Sequence, residues 1–97
     1  MKKIDFNKKF QELDGSAGGD QNKTLAQLFA YSDVKGEKAL KHLNWGLKLM
    51  KDGVLECDDV DLKHVRDFIL EGSSMALIKG QLVQTLDDGG EPVKGGG

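Results

Sequence analysis

Ile4-Asp5-Phe6-Asn7-Lys8-Lys9-Phe10-Gln11-Glu12-Leu13 is the stretch whose conformation decides the fold class, and it carries two periods at once. Ile4 and Phe6 alternate with Asp5 and Asn7, which is the pattern of a short half-buried strand. Phe6, Phe10 and Leu13 also recur at helical spacing, so residues 4–13 read either as strand or as helix. Asp14-Gly15 ends the stretch. Residues 14–23 (DGSAGGDQNK) hold glycines at 15, 18 and 19 and no large apolar side chain, which predicts a flexible loop or a mobile hairpin tip.

Helical signals dominate beyond this point. Thr24-Leu25-Ala26-Gln27 fits a capping box opening a helix that buries Leu25, Leu28 and Phe29 and ends near Tyr31-Ser32-Asp33. Gly36 precedes a longer helix over 37–52, with Ala39, Leu40, Leu43, Leu47 and Met50 as its apolar stripe and Gly53 as its C-terminal glycine. Val54-Leu55-Glu56-Cys57 is a β-prone link. Asp58 or Asp59 caps a third helix with Leu62, Val65, Phe68 and Ile69 inward, and Gly72 stops it. Ser73 or Ser74 caps a fourth, whose Met75, Ile78, Leu82 and Leu86 face the core up to Gly89. The expected fold is mainly α: a small four-helix domain with a short N-terminal β element or hairpin. Residues 1–88 form one compact unit, and 89–97 read as a disordered Gly-rich tail.

The segments IDFNKKFQELDG, TLAQLFA, LNWGLKLMKDGVLECDDVDLKHVRDFI and LIKGQLVQTL, in this order, resemble small proteins encoded by bacteriophages and prophages of gut bacteria. The likeness covers most of residues 3–87 and rests on the hydrophobic layout with the FxxLDG and W-x-L-K-L features. It implies a phage origin and carries no catalytic or binding residue with it.

Composition narrows the function classes. Of 97 residues, 38% are apolar and 31% charged, and the longest apolar runs fall far short of the ~20 residues a membrane helix needs. Asp5, Asn7, Lys8 and Lys9 stand where a signal peptide would need an apolar core, so the expected location is cytoplasmic, the host bacterial cytoplasm for a phage protein. Cys57 is the single cysteine, which excludes an internal disulfide. Residues 1–51 carry ten basic and six acidic groups, residues 52–97 four and ten, so a net −2 conceals a dipolar chain. One arginine among 14 cations, and an acidic second half, disfavour nucleic acid as a partner.

Site motifs fail on spacing. A P-loop with Lys23 as its lysine needs glycines where Ala17 and Asn22 stand. A calcium loop starting at Asp52 would put Val54, Cys57 and Lys63 at positions 3, 6 and 12. Cys57, His42 and His64 form no local pair of ligands for zinc, and neither histidine is placed by spacing as a base for Cys57. The reading therefore assigns no catalytic, cofactor or metal residue. Cys57 is expected as a small buried hydrophobe and His64 as a solvated imidazole.

The long helix carries the anomaly. With Leu40 at 0°, the stripe of Ala39, Leu43, Leu47 and Met50 lies between about 260° and 360°, whereas Trp45 and Leu49 fall near 140° and 180°. Lys38, Lys41, His42 and Lys48 surround that second apolar pair. Trp45 is then either covered by the Phe6/Phe10 segment or the anchor of a docking face. The expected function is a small non-enzymatic module, phage-encoded, that docks on a host or phage protein as an assembly chaperone or an inhibitor of a defence protein. Its expected contacts are Lys38, Lys41, His42, Trp45, Lys48 and Leu49. The same face on a second copy would give a homodimer, and the alternative is a nucleic-acid-binding accessory protein using Lys38, Lys41, Trp45 and Lys48.

Overall fold

The structure, a computed structural model, describes residues 1–89. The strand period wins at the N-terminus because two short strands there find partners. β1 (Lys2–Asp5) pairs antiparallel with β4 (Val54–Cys57) in the register Lys2↔Cys57, Lys3↔Glu56, Ile4↔Leu55, Asp5↔Val54. Ile4, Leu55 and Cys57 point inward and are buried, while Lys3 and Glu56 meet across the outer face at 4.0 Å. β2 (Lys9–Gln11) pairs antiparallel with β3 (Ala17–Asp20), with a register shift between Lys9↔Asp20 and Gln11↔Ala17. Phe6, between β1 and β2, donates its N–H to Gly53 O at 2.8 Å and is fully buried.

Four helices complete the chain: α1 (Gln21–Ala30), α2 (Glu37–Asp52), α3 (Asp59–Glu71) and α4 (Ala76–Asp87). The expectation of a mainly α domain is corrected to an α+β fold with two small antiparallel two-stranded sheets. The physical reason is non-local: the 54–57 link is the strand that β1 needs, and the glycine-rich 17–20 segment is the strand that β2 needs. Pairing outweighs the low strand propensity of Ala17-Gly18-Gly19-Asp20.

The 14–23 loop is accordingly shorter than expected. Only Asp14-Gly15-Ser16 turns: the Asp14 carboxylate accepts from Ser16 N and Oγ, and Gly15 has φ +87°. Gln21 already lies in α1, whose N-cap is Asp20, so Thr24 sits inside the helix and not at its cap. Asp20 offers no cap hydrogen bond because its carboxylate is held by Lys9 at 2.8 Å and Lys23 at 3.4 Å. α4 likewise begins at Met75, an exposed N-cap, and neither Ser73 nor Ser74 caps it. Asp58 does cap α3, accepting from Asp61 N at 2.8 Å. The expected tail at 89–97 falls, from residue 90 on, outside the described residues.

One core joins all layers: Ile4, Phe6 and Phe10 from the N-terminal segment, Leu25 and Phe29 from α1, Trp45 and Leu49 from α2, Leu55 and Cys57 from β4, Val65 and Ile69 from α3, and Leu82, Val83 and Leu86 from α4. Polar ties close its edges. Gln81 of α4 both donates to and accepts from the Gln11 backbone, satisfying β2 on its outer side, and Thr85 Oγ1 donates to the buried Gln21 Oε1 at 2.7 Å. No described helix is long and apolar enough to cross a membrane.

Candidate docking face and the histidine pair

α2 runs from Glu37 to Asp52 and ends on Gly53, which has φ +77° and leaves no room for a Cβ against the Asn7 carboxamide. Its orientation is the reverse of what its aliphatic stripe predicts. The buried side carries His42, Trp45, Gly46 and Leu49. The stripe lies outside, with Leu40 60% exposed, Leu43 49%, Leu47 61% and Met50 55%.

The inward side is chosen by aromatic packing and by a close approach. The Phe29 ring lies 4.9 Å from His42 and 5.3 Å from Trp45 between centroids, and Phe68 of α3 stacks on Phe29 at 5.4 Å. Gly46 meets α1 without a side chain: a Cβ there would stand 3.2 Å from Ala26 O and 3.8 Å from Phe29 Cβ. These contacts fix the rotation of α2, and Leu40, Leu43, Leu47 and Met50 are left beyond the α1 edge. A shallow groove of about 220 Å³ runs there between α1 and α2, bounded by Ala30, Tyr31, Leu43, Leu47 and Met50.

The expected contact set is therefore redistributed. His42, Trp45 and Leu49 are buried, with the Trp45 ring packed on Phe29 and the two imidazoles, and none of the three forms an exposed anchor. Lys41 Nζ is 2.8 Å from Asp61, which raises the ammonium above its usual range through that hydrogen bond. Lys48 Nζ is held by Asp52 at 2.6 Å and lies 3.8 Å from Glu56, and the Asp52 hydrogen bond raises it in the same way. With its ring buried and two of its lysines paired, this side presents no stacking platform for a nucleic acid base. Lys38 remains half-buried at its edge.

The histidines are a feature that spacing did not show. His64, expected in solvent, is half-buried, and its Nε2 lies 2.8 Å from His42 Nε2. His42 Nδ1 is 2.8 Å from Ser32 Oγ, which stands 2.7 Å from Phe29 O. With the Ser32 proton on the Phe29 carbonyl, His42 donates from Nδ1 and accepts at Nε2; with that proton on His42 Nδ1, His42 donates from Nε2 to His64. Burial, then the His64 and Lys38 charges, lower His42 to about 4. His64 is lowered as well, chiefly by burial. Two neutral rings thus satisfy each other inside the aromatic cluster.

His64 also borders a larger open groove of about 640 Å³, lined by Ser32, Asp67, Phe68 and the 72–74 turn. Cys57 is buried and its thiol is pushed up to about 12, by burial first and then by Asp61 and Asp58. Among the described residues, no group of three or more His, Cys, Asp or Glu side chains is placed to hold a metal ion. Comparison with protein-family models, with curated proteins and with solved structures gave no match, so the functional reading rests on the residues above.

Proposed function

We propose that the chain is a non-enzymatic protein-binding module whose exposed α2 face receives an amphipathic helix. The observation that carries this reading is the 3-4-3 spacing of Leu40, Leu43, Leu47 and Met50, all between 49% and 61% exposed on one side of a regular helix. That spacing is the seam into which a facing helix inserts its own apolar side chains. Exposed single leucines are ordinary, but four in register beside a groove mark an interaction surface. The docking face thereby moves from the Trp45 side to the opposite side of the same helix. Cys57, buried and held as a thiol, supports the non-enzymatic part of the reading. On the resemblance to phage-encoded proteins, the module works in the cytoplasm of the host cell, as an assembly factor or as an inhibitor of a defence protein.

The test is capture by tagged wild type against a Leu43→Glu/Leu47→Glu variant, in bacteria expressing either together with its untagged copy. Both side chains are exposed, so the variant keeps its circular dichroism and thermal midpoint. A stoichiometric partner is expected with wild type and absent with the variant. Identical capture by both would overturn the assignment of this face.

A further inference from the structure

We infer that the helix received by this face is α2 of a second copy, lying antiparallel about a twofold axis beside Asn44; this rests on the docking reading above and names its occupant. In heptad terms Leu40 and Leu47 stand at a, Leu43 and Met50 at d, and Glu37, Asn44 and Lys51 at e. An antiparallel pair brings a opposite d and e opposite e. Leu40 then meets Met50 of the second copy, Leu43 meets Leu47, and each of these layers occurs twice by symmetry. The same register sets Glu37 opposite Lys51 at both ends and Asn44 opposite its own copy at the axis.

Charge complementarity selects this arrangement over its parallel counterpart. Glu37 and Lys51 are exposed, and among the described residues neither forms an ion pair within its own chain. The other α2 lysines with acidic neighbours, Lys41 and Lys48, are already engaged on the far side. A parallel pair would set the e residues against the g positions, Ala39 and Gly46, which carry no charge. Antiparallel pairing satisfies both charged ends with residues of the same helix. The seam from Glu37 to Lys51 is ~21 Å long, shorter than standard interfaces require, so the dimer is a weak, concentration-dependent one.

Sedimentation velocity from ~1 to ~200 µM at low salt tests it, since weak interfaces of this size dissociate across that range. Wild type is expected to pass from one chain to two, and Leu43→Glu/Leu47→Glu to remain at one. Glu37→Lys alone sets lysines against lysines, and Lys51→Glu alone sets glutamates against glutamates. Each is expected to self-associate at least threefold more weakly than wild type, and an equimolar mixture of the two to regain wild-type strength as a heterodimer. A wild type that stays monomeric throughout overturns self-pairing; the docking reading then stands or falls separately on whether the double variant loses a different partner in cells. A wild-type dimer that the double variant leaves intact overturns self-pairing through this face, and the docking reading is again decided by whether the double variant loses a different partner in cells. A dimer broken by the double variant but not regained in the mixture overturns the antiparallel register.

Discussion

Leu47 and Leu49 lie two residues apart on α2, carry the same side chain, and are 61% and 0% exposed. Truncating each to alanine therefore isolates which side of the helix belongs to the core. Leu49 contacts the cluster that joins β1, α1 and β4, and Asn22 of α1 donates to its carbonyl at 3.1 Å. Leu49→Ala removes a fully buried side chain and leaves a cavity, for a loss of about 3–4 kcal/mol. Leu47→Ala removes atoms already in water and slightly improves helix propensity, so its effect stays within ~0.5 kcal/mol.

Urea unfolding followed through Trp45, the single tryptophan, reads both. With a slope near ~1 kcal/mol/M for a domain of this size, the midpoint of Leu49→Ala should fall by roughly 3 M and that of Leu47→Ala by less than ~0.5 M. The measurement is made at ~1 µM, where a weak dimer is dissociated. A Leu47→Ala loss equal to or greater than that of Leu49→Ala would show that the aliphatic stripe is the core side of α2, and the docking face would go with it.

Acid should weaken the fold in a defined window. His42 titrates near 4 when folded and near its ordinary 6.5 when unfolded, so the unfolded chain takes up that proton first. Stability is whole above 6.5 and declines as pH falls toward 4, by up to ~1.4 kcal/mol per pH unit; the histidine ring carbon resonances should show His42 neutral at pH 5, and a His42 that titrates at 6.5 in the native protein contradicts its burial. Asp20 and Asp52, lowered by their lysine partners, act with the same sign at more acid pH. Gly53→Ala should cost ~1–3 kcal/mol, because φ +77° strains any L side chain and the new Cβ meets Asn7; urea unfolding of Gly53→Ala alone and with Asn7→Gly separates the two, the second substitution recovering only the steric share. Cys57 should resist a thiol reagent at pH 8 in the native protein and react at the unfolding rate, as mass spectrometry would show, whereas rapid native labelling would place it outside the core.

Local signals identified what depended on local chemistry. The bounds of α2, its closing Gly53, the β-prone 54–57 segment and the Asp58 cap each follow from a residue and its immediate neighbours. What failed depended on partners far along the chain. Ile4 and Phe6 carry a strand pattern, but a helix reading competes until Leu55 and Cys57 are known to lie opposite. Asp20 replaces Thr24 as the start of α1 because β3 runs straight into the helix. His42 and His64 are 22 positions apart, and only the packing of α2 against α3 brings their Nε2 atoms together.

The inverted face of α2 follows from the same distinction between amount and fit. Counting apolar side chains favours the stripe of Ala39, Leu40, Leu43, Leu47 and Met50. A turn of about 120° would bring that stripe inward. The same turn would carry Trp45 and Leu49 into water, take His42 away from Phe29 and Phe68, and replace Gly46 with bulkier side chains at the 3.2 Å approach to Ala26. It would also break the hydrogen bonds that His42 makes with Ser32 and with His64. Shape and polar satisfaction thus hold the aromatic side inward even though the aliphatic side is the larger. The leucines left outside keep an unbroken heptad spacing over two turns of the seam, with opposite charges at its ends. Glu37 in the first turn and Lys51 in the last also complement the dipole of α2 itself, and in an antiparallel pair of these helices the apolar seam and both charged ends find partners at once.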